Sequence, residues 1–271
     1  MPKVDRSGVK IDYEVVGTGK KEIVLINGMG RDRNSWIMQR HALSERFTLI
    51  LYDHRGCGKS DSPKDGYDMP NLVEDLKSVI EAAGFKRPVL MGVSMGGIVA
   101  QSFAVTYPDS IGGLVLISTS AGKPGLGNLT KRFEQYVKDM PDCDPEERVK
   151  RGLTLIFSLE FVEKNREAID ALIPGFMESS ASPEVYNELL PRLKDYSIYD
   201  KLNSIKVPVL VLAGDADAIV DPENTRELAR VIPGAREIIY PGAGHGLVIE
   251  RYEDLNRDVI DFISKLDEKK Q

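Results

Sequence analysis

Cysteine is scarce in this chain. Cys57 and Cys143 are the only two in 271 residues, too few for a disulfide framework and not spaced as a metal-binding pair, so both read as free thiols. Histidine is nearly as rare: His41, His54 and His245 are the full set. No two of them, and no pair of carboxylates, stand at metal-ligand spacing, so neither a metal nor any other cofactor is expected. Long apolar runs are missing too. Nothing approaches the roughly 18 consecutive apolar residues of a membrane-spanning helix, and the opening "MPKVDRSGVKIDYEVVG" has no stretch of signal-peptide length. A cytoplasmic protein that does not insert into membranes is the expectation. A net charge of −6, with no concentrated basic surface, argues against a nucleic-acid partner. Repeats and low-complexity tracts are absent, and no G-x-G-x-x-G follows an early strand. "RGCGKSD" ends like a phosphate-binding loop but carries Asp53 where the first glycine must stand.

What is present has an α/β rhythm. Short runs rich in Val, Ile and Leu at 23–26, 47–52, 88–91 and 113–118 follow a strand at 11–16. Such runs, separated by helices, are what a parallel sheet covered on both faces requires. Helical patterns fit at 69–83, with Leu72, Val73, Leu76, Val79 and Ile80 on one face, and at 98–107, stopping before Pro108. From residue 121 the pattern becomes helical (129–140, 145–159, 161–172 and 183–196) with no convincing strand. "VPVLVLAGDADAIV" then restores the βα alternation, "AREIIYPGAGHG" supplies another strand, and 252–266 closes with an amphipathic helix. The division expected is a core in two parts, 1–120 and 204–271, interrupted by a helical cap at 121–203.

"PVLMGVSMGGIVA" places Ser94 in a G-x-S-x-G pentapeptide between a strand and a helix. That setting lifts a serine above the edge of a sheet, with glycines where a side chain would collide. A serine hydroxyl needs a base to take its proton and a third group to orient the base. His245 lies in "GAGHG", directly after the last strand, whereas His41 falls in a polar helical stretch and His54 in a loop. The orienting acid belongs between serine and histidine, and "AGDADAIVDPE" offers Asp215, Asp217 and Asp221.

Taken together, "VSMGG", "DHRGCGKSD", "GDADAIVDPE" and "GAGHG", in this order, make the chain resemble the α/β-hydrolase superfamily, and within it the cap-bearing esterases, enol-lactonases and cofactor-free haloperoxidases. The resemblance implies a mostly parallel, twisted sheet of about eight strands, helices on both faces and a helical cap. Its G-x-x-D arrangement selects Asp217 as the acid, giving a catalytic set of Ser94, Asp217 and His245. It also implies an oxyanion hole from the backbone N–H groups of Met29 and Met95. The family's His-Gly before the first donor is here Asn27-Gly28, a departure that alters the loop's internal hydrogen bonds without removing a backbone donor. Trp36, shortly downstream, either borders the substrate pocket or packs in the core. The activity implied is cleavage of small to medium carboxylic esters or lactones through an acyl-enzyme, with a small-molecule partner and no cofactor. The same triad also serves C–C hydrolases, aminopeptidases, thioesterases and perhydrolases, and the fold also hosts non-catalytic receptors.

Overall fold

The computed structural model describes residues 2–266; residue 1 and residues 267–271, at the outer ends of the expected core parts, lie outside the described residues. Eight strands form one sheet: β1 (Lys3–Arg6), β2 (Val9–Val16), β3 (Glu22–Ile26), β4 (Thr48–Tyr52), β5 (Val89–Val93), β6 (Gly113–Ile117), β7 (Val209–Gly214) and β8 (Arg236–Tyr240). Their order is β1-β2-β4-β3-β5-β6-β7-β8. Only β1 with β2 and β2 with β4 pair antiparallel; the remaining pairs are parallel.

The central strands are apolar along almost their whole length because both faces are covered. Along β3, Val24 and Ile26 pack into the cluster on one face while Ile23 and Leu25 pack on the other, and Leu114 and Leu116 alternate with Val115 and Ile117 in the same way along β6. Helices α1 (Ile37–Ser44), α2 (Met69–Ala82) and α3 (Met95–Thr106) fall in the first half. Leu72, Leu76 and Ile98 from α2 and α3 cover one face, and Leu43 from α1 covers the other. Truncating a buried leucine such as Leu116 to alanine costs about 2–5 kcal/mol at such a site.

Between the parallel neighbours β6 and β7 the chain runs through α4 (Lys131–Asp139), α5 (Pro145–Ile156), α6 (Leu159–Lys164), α7 (Arg166–Ser179) and α8 (Pro183–Asp195); α9 (Pro222–Val231), α10 (Leu247–Glu250) and α11 (Tyr252–Ser264) follow. Side-chain caps start these helices where the sequence offers them: Thr130 Oγ1 accepts from Phe133 N at 3.3 Å, Asp144 from Glu146 N at 2.9 Å and Ser158 from Phe161 N at 3.2 Å. The single helix expected at 161–172 is two. Asn165 leaves the helical region at φ −123° and separates α6 from α7. α7 then continues through Pro174 to Ser179, because Ile169 and Ile173 pack against Val149, Leu153 and Phe157. Packing outweighs the proline's local penalty.

The sheet order fixes where a site can form. β3 leads toward β4 on one side, β5 toward β6 on the other, and the two are neighbours with Ile26 opposite Gly92. The carboxyl ends of strands at such a reversal leave a crevice.

Candidate active site

Ser94 stands where β5 ends and α3 begins, with φ 54° and ψ −123°. A non-glycine residue at positive φ is strained by about 1–3 kcal/mol and is held there by its surroundings. Ser94 N donates to Ile117 O at 2.9 Å, and Ser94 O accepts from Gly97 N at 2.9 Å and from Thr119 Oγ1 at 2.6 Å. The flanking glycines are needed for proximity. A Cβ on Gly92 would collide with the Gly96 carbonyl, and one on Gly96 with the carbonyls of Ile26 and Asn27.

The aspartate and histidine expected as acid and base come from the far half of the sheet. Asp217 follows β7; its Oδ1 accepts from Ile219 N at 2.8 Å and Val220 N at 2.9 Å, and its Oδ2 lies 2.7 Å from His245 Nδ1. Both side chains are buried. With a carboxylate accepting at Nδ1, that nitrogen carries the proton and Nε2 presents a lone pair. The two rival aspartates are engaged elsewhere: Asp215 accepts from Gly242 N at 2.6 Å, and Asp221 caps α9 through Glu223 N at 2.9 Å. The His245 loop is pinned by the end of α5. Gly246 N donates to Ile156 O at 2.6 Å, and a Cβ at Gly244 would meet Ser158 N at 2.6 Å. Of the other histidines, His41 is exposed on α1. His54 is buried with Nε2 3.1 Å from Asn27 O, and burial pulls its pKa from 6.5 to about 4.

The loop after β3 lies against the serine: a Cβ at Gly28 would sit 3.5 Å from Ser94 Cβ. Asn27 braces it, donating through Nδ2 to Tyr52 O at 2.8 Å and accepting at Oδ1 from Ser35 Oγ at 3.1 Å. These bonds replace whatever a histidine at this position would make. Among the described residues, the backbone N–H groups of Met29 and Met95 donate to no protein acceptor.

Ser94, His245, Gly28 and Met29 line one cavity of about 130 Å³, whose far wall comes from α4, α5, α7 and α8. No direct hydrogen bond joins the Ser94 hydroxyl to His245; such contacts commonly tighten only once substrate is bound. Trp36 does not reach the cavity. It is fully buried among Leu43, Phe47 and Leu247 on the α1 face, so the pocket-border alternative gives way to core packing, while its neighbour Ser35 lines the cavity. Apart from His245, the charged lining residues are Arg31 and Arg148, neither of which the sequence motifs single out; no Asp or Glu is in the lining. Arg31 lies two residues after Met29, so its nearness to the loop after β3 is readable from the sequence though its burial in the cavity wall is not, whereas Arg148 sits in an unremarkable helical turn. Among the described residues no three His, Cys, Asp or Glu side chains are grouped to hold a metal ion, and no helix is long and apolar enough to cross a membrane.

A family model of the alpha/beta hydrolase fold matches residues 22–252. The chain belongs to this family. Among curated proteins it is 27% identical over 256 residues to "Putative carbamate hydrolase RutD" of Caulobacter sp. (strain K31), covering 93% of this chain and 95% of that one. Among solved structures, the enol-lactonase from Burkholderia xenovorans LB400 superposes with a TM-score of 0.86 at 26% identity, covering 97% of this chain and all (100%) of that one. The esterase RhEst1 from Rhodococcus sp. ECU1013 superposes with a TM-score of 0.84 at 28% identity, covering 97% and 98%.

Proposed function

We propose that the chain is a serine hydrolase of small to medium carboxylic esters or lactones, working through an acyl-enzyme on Ser94. The observation that carries this reading is that a strained, glycine-flanked Ser94 and a His245 bonded to Asp217 open onto the same largely apolar cavity. The names of the esterase and enol-lactonase neighbours support it.

In this mechanism His245 Nε2 takes the proton of Ser94 as Oγ attacks the carbonyl carbon. The imidazolium that forms is stabilised and oriented by Asp217 at Nδ1, while the new oxyanion is received by the amides of Met29 and Met95. Collapse of the tetrahedral species expels the alcohol, which takes the proton from His245. Water then repeats the sequence on the acyl-enzyme. Each oxyanion donor is worth about 10²–10³ in kcat. In the same reading, residues 121–203 act as a cap whose apolar side chains hold the acyl or alcohol part, and two free cysteines suit a cytoplasmic setting.

The test is covalent and kinetic. A fluorophosphonate probe should label wild-type protein at Ser94, and Ser94→Ala should lose nitrophenyl-ester turnover by several orders of magnitude while keeping its thermal transition. A Ser94→Ala protein with near-parental turnover defeats the assignment.

A further inference from the structure

The cavity carries positive charge and no negative charge. Arg31 and Arg148 are in its lining, without any Asp or Glu. Among the described residues neither guanidinium has a carboxylate within ion-pair distance: the salt bridges of the chain engage other arginines, such as Arg33 with Asp53 and Arg55 with Asp75. Arg31 is instead held by neutral groups. Its guanidinium lies 3.9 Å from the centre of the Phe176 ring and donates to Ser180 Oγ at 2.7 Å and Ser179 Oγ at 2.8 Å. Phe176 and Ser180 also line the cavity. Burial pulls the half-buried Arg31 guanidinium below its ordinary pKa, and the field of the neighbouring Asp32, which makes no ion pair with it, offsets this only in part. A partly desolvated cation with no ion-pair partner gains from an anion that reaches it. A planar guanidinium fixed by stacking is also preorganised for bidentate capture of a carboxylate.

We propose that the cavity selects esters or lactones bearing a free carboxylate, with Arg31 as its principal anchor and Arg148 adding to the positive field. This deepens the serine-hydrolase reading and rests on it for the location of the reacting carbonyl. The chemistry is unchanged: the acyl group is transferred to Ser94 and then to water, while the second carboxylate stays ionised and only positions the substrate. Binding energy from that remote group holds the ester carbonyl toward Ser94.

Two nearly isosteric substrates test it: methyl pentanoate, which is neutral, and monomethyl glutarate, which ends in a carboxylate. Wild-type protein should favour monomethyl glutarate in kcat/KM. Arg31→Gln should lower the preference ratio by roughly 10- to 100-fold, mainly through KM for the anionic ester, with Arg31→Lys recovering part of it. Arg148→Gln should lower the ratio less, and supplies a second variant if Arg31→Gln fails to fold. Calorimetry on Ser94→Ala protein separates the two readings. If wild type turns over neither ester but Ser94→Ala protein still binds monomethyl glutarate far better than methyl pentanoate, the anion site stands and the hydrolase reading falls. Equal binding of the two by Ser94→Ala protein, or equal losses on both esters in Arg31→Gln, overturns the anion site whatever the turnover.

Discussion

Glu250 accepts a hydrogen bond from the backbone N–H of Gly244 at 3.0 Å, one residue before His245. The same carboxylate also takes Ser158 N at 3.2 Å and the Ser158 hydroxyl. One side chain on α10 therefore ties the histidine loop to the junction between α5 and α6.

Replacing that carboxylate should loosen the loop rather than remove a reacting group. Glu250→Gln keeps one acceptor and loses the charge; Glu250→Ala loses both, and each charge-assisted bond is worth about 1.5–3 kcal/mol. The expected result is a graded fall in kcat, alanine below glutamine, with a lowered thermal midpoint in both. Unchanged kcat in Glu250→Ala would show that Gly246 N and the glycine contacts hold His245 without it.

Asp217→Asn should keep the fold and lose about 10³–10⁴-fold in kcat, because an amide can offer its NH₂ to Nδ1 and so favour the tautomer with the proton on Nε2. Asp215→Asn, whose side chain only anchors the Gly242 amide, should change kcat by a small factor. Steady-state rates on a nitrophenyl ester compare the two, and equal losses would reassign the acid.

His54 should make stability depend on pH. Its folded pKa is lowered by burial from 6.5 to about 4, so below pH 6.5 the unfolded chain takes up a proton that the native state refuses. The contribution is fully present above the unfolded pKa and is lost as pH falls through the window from about 6.5 to 4, reaching about 2 kcal/mol by pH 5. Urea unfolding at pH 7 and pH 5 checks this: His54→Gln, which can still donate to Asn27 O, should lose less stability than the parent between the two.

The two thiols should differ in reactivity. Cys57 is buried and burial pushes its pKa up to about 12, whereas Cys143 is partly exposed; the thiolate is the reacting form. A chromogenic disulfide should titrate Cys143 in the native protein and Cys57 only after unfolding. Rapid reaction of both in the folded state would contradict the packing around Cys57.

Much of this arrangement is legible from residue order. The strands from β3 to β7 announce themselves as Val, Ile and Leu runs because both of their faces are buried, and Ser94 is announced by the glycines that its tight turn requires. The family resemblance, whose G-x-x-D arrangement favours Asp217 over Asp215, picks the residue that bonds His245. β1 is not announced: "KVDR" is a short, charged edge strand whose existence depends on pairing with β2. The break at Asn165 and the passage of α7 through Pro174 depend on contacts with α5, which local pattern does not contain. Trp36 is ambiguous for a related reason, since a residue at the end of the turn Arg33–Trp36 can face the cavity or the core. Arg31 is hardest of all: that among the described residues its guanidinium makes no ion pair and lies against Phe176 in the cavity wall is seen only in the packed neighbourhood.

The sheet joins Leu114 to Val209 across the whole of α4–α8. During synthesis β6, buried along its entire length in the finished protein, therefore leaves the ribosome well before its partner exists. Until β7 arrives, a nascent chain holds Ser94 on a half-built sheet with a bare apolar edge, open to pairing with other chains. On the proposed mechanism, hydrolytic competence and protection from aggregation thus arrive together, late, when the C-terminal strands dock.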